Sequence, residues 1–289
     1  MSNRQTIMSV NGTEMFSPPS NILIPTRDEG KKPVLDVRGL GIDFGGLRAV
    51  DEFTITVSPT EISGLIGPNG AGKTTVFNLL TNVYKPTRGA ILLDGHPTAG
   101  KSVAQVNRMG IARTFQNIRL FDQMTVLDNV RVGMSNNIRC NFAESFLRLP
   151  GHFKAEKRSR ERALELLSIF HMESEAYTLA GNLPYGAQRR LEIIRALATE
   201  PKVLLLDEPA AGMNPSETHA LMESIRQIRD QFGIAIVLIE HDMNLVMGVC
   251  EGIAVLNFGK VIAKGTPDQI KNNEAVIEAY LGRQEKKEA

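Results

Sequence analysis

The segment Gly67-Pro68-Asn69-Gly70-Ala71-Gly72-Lys73-Thr74 decides the fold of this chain. It matches the pattern G-x-x-x-x-G-K-[ST], whose glycines let the backbone curl until successive N–H groups face phosphate oxygens. A strand-like run at 62–66 precedes it, and the apolar start of a helix at 76–80 follows it. The N-terminus of that helix adds a dipole that favours an anion. The sequence therefore predicts a loop that binds the phosphates of a nucleotide.

Three side chains at the end of this loop are predicted to act on the nucleotide. Lys73 is placed to reach the β- and γ-phosphates, and the Thr74 hydroxyl is a suitable ligand for Mg²⁺. Thr75 follows in the first helical turn and belongs to the predicted nucleotide-binding set. These roles make a nucleoside triphosphate and Mg²⁺ the expected cofactors.

A second motif is a buried strand that ends in two carboxylates. Residues 203–206 are apolar, and Asp207 and Glu208 follow them directly. Continuous apolar runs of this kind are typical of central parallel strands that are buried on both faces. Asp207 is placed to hold Mg²⁺ through water, and Glu208 to polarise the water that attacks phosphorus. Many strands end in an acidic residue, so this pair indicates a catalytic site only in combination with the phosphate loop.

Four further features stand in order around these motifs: Phe44 before Gly45, Gln116 after 112–115, the segment Leu183-Pro184-Tyr185-Gly186-Ala187-Gln188-Arg189-Arg190, and His241 after the apolar run 234–239. Taken singly, Phe44 fits a core residue, His241 fits a histidine with satisfied hydrogen bonds, and Gln116 carries almost no information. Their order and spacing around the phosphate loop resemble the ABC ATPase family.

The resemblance implies a role for each of these features. Phe44 would stack on adenine, Gln116 would be the Q-loop glutamine that contacts Mg²⁺, and His241 would be the switch histidine. Lys73 and Glu208 would complete the catalytic set with His241. The signature residues that would contact ATP across a dimer interface are Leu183, Tyr185, Gly186 and Gln188.

The resemblance covers residues 34–282 and is closest to the G-type ATP-binding subunits of bacterial high-affinity branched-chain amino acid importers. The similar stretches are 108–116, 207–215, 239–243 and 265–282. It implies ATP hydrolysis coupled to uptake, and it favours branched-chain amino acids as the substrate. The implied partners are two membrane-spanning permease subunits, a second ATP-binding subunit and a periplasmic or extracellular substrate-binding protein, with no nucleic acid. The implied location is peripheral, on the cytoplasmic face of the inner membrane.

Three positions depart from the general ABC pattern. Pro184 replaces the signature serine, Tyr185 replaces the glycine after it, and Asn214 stands where the D-loop usually has aspartate. The first two changes remove a hydroxyl that would touch the γ-phosphate. The sequence therefore predicts a heterodimer with unequal sites, in which a partner ATPase supplies the complete signature.

Other members of the family share most of these motifs. The ATPase of a urea or amide importer and that of a lipopolysaccharide exporter are alternatives, and a non-transport ABC ATPase of DNA repair or translation is a remote one. Proteins of the last class usually have a long coiled coil or two tandem ATPase domains, and the segment 117–182 is too short for a long coiled coil. The transported substrate is chosen by other subunits and is not encoded here.

The predicted fold class is α/β: a P-loop NTPase with a mixed sheet core, an N-terminal antiparallel β subdomain and an inserted helical subdomain. Hairpins are predicted from the runs 34–37 and 53–57 and from 253–256 and 261–263, and a final helix from Pro267 with Thr266 as its cap. The predicted ranges are a flexible extension at 1–33, the ATPase domain at 34–282 with the helical subdomain at 117–190, and a charged tail at 283–289.

The composition narrows the function classes. The 289 residues include 33 Lys and Arg against 32 Asp and Glu, so the net charge of +1 does not favour a nucleic-acid-binding protein. The 2 cysteines show no CxxC spacing and are expected to be reduced thiols. The longest apolar run, 234–239, falls far short of the ~20 residues that span a bilayer. A membrane role would therefore require docking on other subunits.

Overall fold

The structure, a computed structural model, describes residues 28–135 and 150–281. Residues 1–27 of the predicted extension and the predicted tail at 283–289 lie outside these ranges. Asp28 is fully buried, and its Oδ2 accepts hydrogen bonds of 2.9 Å from the backbone N–H and the hydroxyl of Thr60. This contact places a residue before 34 against the folded domain.

The described strands form two sheets. The strands are Leu35–Phe44 (β1), Leu47–Val57 (β2), Ile62–Ile66 (β3), Arg88–Leu93 (β4), His96–Pro97 (β5), Ile111–Arg113 (β6), Val203–Asp207 (β7), Ala235–Ile239 (β8), Gly252–Asn257 (β9) and Lys260–Gly265 (β10). One sheet has the order β2-β1-β4-β5, and the other has the order β10-β9-β3-β8-β7-β6.

The first sheet is antiparallel and confirms the predicted N-terminal hairpin. Leu35 pairs with Val57 and Val37 pairs with Ile55, so the two predicted runs face each other. Both strands continue beyond those runs to a turn at Gly45-Gly46, where φ values of 52° and 91° suit glycine. The sheet packs its apolar side chains against α1 and the larger sheet.

The second sheet is mixed, as predicted, and it positions the site. Strands β6, β7, β8, β3 and β9 are parallel, and β10 runs antiparallel to β9. Every residue of β7 and β8 is buried, which confirms the central strands expected from their apolar runs. Because parallel strands end at the same edge, residues that follow β3, β7 and β8 meet there.

The helices are Lys73–Leu80 (α1), Val103–Met109 (α2), Val126–Met134 (α3), Pro150–Ser168 (α4), Tyr185–Leu197 (α5), Pro215–Phe232 (α6), Met243–Val249 (α7), Pro267–Lys271 (α8) and Glu274–Leu281 (α9). Helices α3, α4 and α5 pack together through buried residues that include Val130, Leu167 and Ile194. Helix α5 continues past residue 190, where the helical subdomain was predicted to end, and its residues Leu191 and Ile193 are fully buried.

The C-terminal part confirms one prediction and corrects another. Strands β9 and β10 form the predicted hairpin, with Val261 opposite Leu256. Thr266 caps α8 with a capping box and Pro267 opens it, as predicted, but α8 ends at Lys271 and is not the final helix because α9 follows. The Asn273 side chain accepts a hydrogen bond from Val276 N at 3.3 Å and so marks the start of α9 instead.

Candidate nucleotide-binding and catalytic site

The phosphate loop lies between β3 and α1 and is built on glycines that no other residue could replace. Gly67 has φ 151°, and a Cβ there would lie 2.0 Å from the carbonyl oxygen of Leu256. Gly72 has φ 104°, and its Cβ would lie 2.8 Å from the carbonyl oxygen of Ala49. The loop is therefore wedged between β2 and β9, with backbone close on both sides.

Lys73 begins α1 and folds back over the loop. Its Nζ donates hydrogen bonds to the carbonyl oxygens of Gly67 at 2.6 Å and Pro68 at 3.0 Å. Burial lowers the pKa of the Lys73 ammonium, and the charges of Glu208 and Asp207 act in the opposite direction. The ammonium thus stands between the loop and the carboxylates at the end of β7.

The structure brings Glu208, Gln116 and His241 together. Glu208 Oε1 lies 2.8 Å from His241 Nε2, and Gln116 Nε2 donates to Glu208 Oε2 at 2.9 Å. Glu208 has φ 48°, a left-handed backbone conformation that is strained for a residue with a side chain. Both carboxylate oxygens are therefore held, and the side chain has a fixed direction.

Asp207 has a buried partner that sequence reasoning missed. Arg113 Nη2 lies 2.7 Å from Asp207 Oδ2, and both side chains are almost completely buried. Arg113 Nη1 also donates to Asn78 Oδ1 at 2.6 Å, and its guanidinium lies 5.2 Å from the centre of the Phe115 ring. A basic residue at the end of β6 was the available signal, but β6 is too short to predict from periodicity.

Glu240 is a second residue that sequence reasoning missed. Its buried carboxylate accepts hydrogen bonds from Ala210 N at 2.7 Å and His241 N at 3.0 Å. Burial raises the pKa of Glu240, and those backbone donors oppose the shift. Glu240 thus ties the loop after β7 to the loop after β8, which carry Glu208 and His241. An acid directly after an apolar run was the signal in the sequence.

Two residues that were predicted to contact the nucleotide's base and metal are open to solvent. Phe44 is 43% exposed, so it is not a core residue, and its ring meets the Tyr84 ring edge-on at 5.3 Å. Thr74 is exposed in the first turn of α1, while Thr75 is partly buried. The strand after Phe44, β2, passes the loop at Gly72.

The predicted signature residues lie at the start of α5. Pro184 is the N-cap and Tyr185 is the first helical residue. Gln188 Nε2 donates to the Leu183 carbonyl oxygen at 3.0 Å. The ring of Tyr185 packs next to Gly212, and Gly186 lies close to Glu217, so this segment contacts the region just after β7.

Within 28–135 and 150–281, no helix combines the length and the apolar character that crossing a bilayer requires. Over the same ranges, no group of three or more His, Cys, Asp or Glu side chains is arranged to hold a metal ion by itself.

Comparison with known proteins assigns the family. The ABC transporter family model matches residues 50–211, and a model described as branched-chain amino acid ATP-binding cassette transporter matches residues 260–286. The chain is 48% identical over 251 residues to the high-affinity branched-chain amino acid transport ATP-binding protein LivG of Escherichia coli, which covers 87% of this chain and 98% of that protein. It is 32% identical, with the same coverage, to the lipopolysaccharide export system ATP-binding protein LptB of Haemophilus influenzae.

Solved structures agree with this assignment. A nucleotide-free ATP-binding cassette from an ABC transporter matches with a TM-score of 0.76 and 29% identity, over 87% of this chain and all of that chain. The ADP conformation of MJ1267, an ATP-binding cassette of an ABC transporter, matches with the same TM-score and 28% identity, over 88% of this chain and all of that chain. The chain belongs to the ATP-binding subunits of ABC transporters and is an ATPase of that family.

Proposed function

We propose that this chain hydrolyses ATP to drive an ABC importer of branched-chain amino acids. The proposal that the chain hydrolyses ATP is supported by the position of Glu208, which lies beside Asp207 and Lys73 and is held by hydrogen bonds at both carboxylate oxygens. The substrate class rests on similarity: 48% identity to a relative named for branched-chain amino acid transport, and a C-terminal match to a family model of the same name. The lipopolysaccharide exporter alternative has weaker support, at 32% identity.

ATP binding uses the phosphate loop and its flanks. The loop 67–74 supplies backbone N–H groups and the N-terminus of α1 to the phosphates. Lys73 exchanges its two loop carbonyls for phosphate oxygens, which are stronger acceptors because they are charged. The exposed ring of Phe44 offers a flat apolar face for adenine.

The donor set suits Mg²⁺ bound jointly with a nucleotide. Magnesium usually takes one or two protein oxygens and completes its shell with phosphate oxygens and water, so a dense carboxylate cluster is not needed. The Thr74 hydroxyl, the Gln116 amide oxygen and Asp207 would hold it. Arg113 engages Asp207 Oδ2, so Oδ1 is the oxygen that would be available to the metal or to its water. The ion would neutralise phosphate charge.

Hydrolysis then depends on Glu208. Its carboxylate orients a water whose oxygen attacks the γ-phosphorus as the bond to the β–γ bridging oxygen breaks, giving ADP and phosphate. The water proton passes to the carboxylate as general base. His241 and Gln116 hold that carboxylate from opposite oxygens, and Glu240 fixes the loops on which Glu208 and His241 stand.

The transporter we propose contains a second ATP-binding subunit. The signature segment of this chain, with Pro184 and Tyr185, would meet the ATP of the partner, and the partner's signature would meet the ATP at Lys73. Two permease subunits and a substrate-binding protein would complete the assembly, with this chain peripheral on the cytoplasmic face of the inner membrane. No nucleic acid is involved.

The segment 118–130 is proposed as part of the dock for a permease subunit. Phe121 is 49% exposed and Met124 is partly buried, so both can meet a partner. Val126, in the same segment, is fully buried in the core and cannot. Cysteines placed at 121 and 124 should crosslink to a cytoplasmic permease loop, and crosslinks confined to this chain would contradict the docking proposal.

Gene deletion followed by uptake measurements tests the function as a whole. Loss of radiolabelled leucine uptake, restored by the wild-type gene and not by Lys73→Ala, supports the proposal. Unchanged leucine uptake with lost urea uptake, or with altered surface lipopolysaccharide, would replace it with one of the two alternatives.

A further inference from the structure

Arg189 is the largest fully buried side chain of the described residues, and it lies on the signature helix α5. It is only 1% exposed although it carries a charge. Its two terminal nitrogens donate to consecutive backbone carbonyls: Nη1 to Phe115 O and Nη2 to Gln116 O, both at 2.5 Å. The buried guanidinium of Arg189 thus holds the backbone of the segment that contains Gln116.

Glu192, one turn further along α5, completes this contact. Its Oε2 accepts from Arg189 Nη1 at 3.1 Å, and its Oε1 accepts from Phe115 N at 3.3 Å. Burial raises the pKa of Glu192, while the neighbouring charge of Arg189 opposes the shift. Buried ion pairs contribute little net stability, because desolvation offsets their attraction. Stability alone therefore gives no reason for this arrangement.

The contact continues from the backbone of Gln116 to the catalytic carboxylate. The side chain of Gln116 donates to Glu208 Oε2 at 2.9 Å. Arg189 and Glu192 thus fix the main chain on both sides of the Phe115–Gln116 peptide, while the Gln116 amide reaches Glu208. Any movement of α5 relative to β7 must move Gln116 or break these bonds.

We infer that Arg189 is a positioning residue that holds Gln116 against Glu208, and that Arg189 and Glu192 make the signature helix and the Gln116 segment move as one piece. This inference rests on the proposed function, because Glu208 is its end point. It predicts that a displacement of α5 moves the Glu208 carboxylate of the same chain through the side chains of Arg189 and Gln116.

The geometry requires arginine at position 189. Two carbonyls on consecutive residues need two nitrogens at a fixed separation, and the planar guanidinium supplies them. Lysine keeps the charge but offers a single nitrogen, so it can hold only one of the two carbonyls well. Arg189→Lys is therefore a mild variant that should fold and still loosen Gln116.

A double-mutant cycle with Gln116 separates positioning from general damage. In the assembled transporter, Arg189→Lys should lower kcat on the order of tenfold, the effect of about one lost charged hydrogen bond, with little change in the KM for ATP. In a Gln116→Ala background, the same substitution should cause little further loss. The control is Arg229→Lys, a mostly buried arginine of α6 that pairs with Glu251 away from the site and should leave kcat unchanged.

Several outcomes would overturn the inference. Equal loss of kcat in both backgrounds would show that Arg189 does not act through Gln116. A raised KM with unchanged kcat would place Arg189 in binding instead. A wild-type kcat in Gln116→Ala would remove the end point of the pathway, whereas the base role of Glu208 would still stand on its own substitution.

Discussion

His241 Nε2 lies 2.8 Å from Glu208 Oε1, although the two residues follow different strands. The contact arises because β7 and β8 are parallel neighbours in register, with Asp207 opposite Ile239. The residues just beyond the two strand ends therefore meet, and the Glu240 carboxylate accepts hydrogen bonds from backbone N–H groups of both loops. The sheet itself thus sets the orientation of the proposed base.

Glu208→Gln should preserve ATP binding and lower steady-state hydrolysis on the order of 10²-fold or more, because an amide keeps the shape but cannot accept the proton. Nucleotide binding and phosphate release in the assembled transporter would measure the two effects. The matched control is Glu223→Gln on the exposed face of α6, which should hydrolyse ATP normally. Near wild-type turnover of Glu208→Gln would remove it from the base role.

Arg113→Met should destabilise the protein by about 3–5 kcal/mol, since it leaves the buried Asp207 carboxylate without its cation. Chemical denaturation would measure the loss. Lys202→Met, which breaks an exposed pair with Asp94, should cost less than about 1 kcal/mol. Adding Asp207→Asn to Arg113→Met should recover part of the stability, and a purely additive loss would contradict the buried-pair explanation.

Glu61 should make the free energy of unfolding fall as the pH rises. Burial raises its pKa from 4.5 to about 7, so the folded protein holds a proton that the unfolded chain has released between those values. Glu61→Gln carries no such proton and should gain stability relative to wild type from pH 5 to pH 8, by up to about 3 kcal/mol. Unfolding curves at the two pH values decide the point, and a constant difference between the proteins would refute it.

Lys73→Ala in this chain should reduce transporter ATPase activity more than the equivalent change in the partner ATPase. The site at Lys73 would face a partner's complete signature, whereas the other site would face Pro184 and Tyr185 and lose about 1.5–3 kcal/mol of hydrogen bonding to phosphate. ATPase assays on the two singly altered complexes measure this. Equal losses would argue for symmetric sites, and full activity with this ATPase alone would refute the heterodimer.

The sequence predicts best where chemistry and local pattern coincide. The phosphate loop, the apolar runs of β7 and β8, and the hairpin of β9 and β10 each carry a local signal. Strand β6 carries no local signal, because three residues are too few to show a periodicity. The Asn273 cap, which separates α8 from α9, could not be told from other polar residues in the sequence. The partners of Arg113 and Arg189 lie far along the chain, and no local rule links a charged residue to a distant carboxylate or carbonyl.

The left-handed backbone of Glu208 has a consequence for evolution and for engineering. A side chain in that conformation costs about 1–2 kcal/mol, and glycine would relieve the strain. Glu208→Gly should therefore raise the melting temperature while abolishing turnover. A homologue that no longer hydrolyses ATP would be expected to carry glycine or asparagine at this position. The sequences of such homologues would test this expectation.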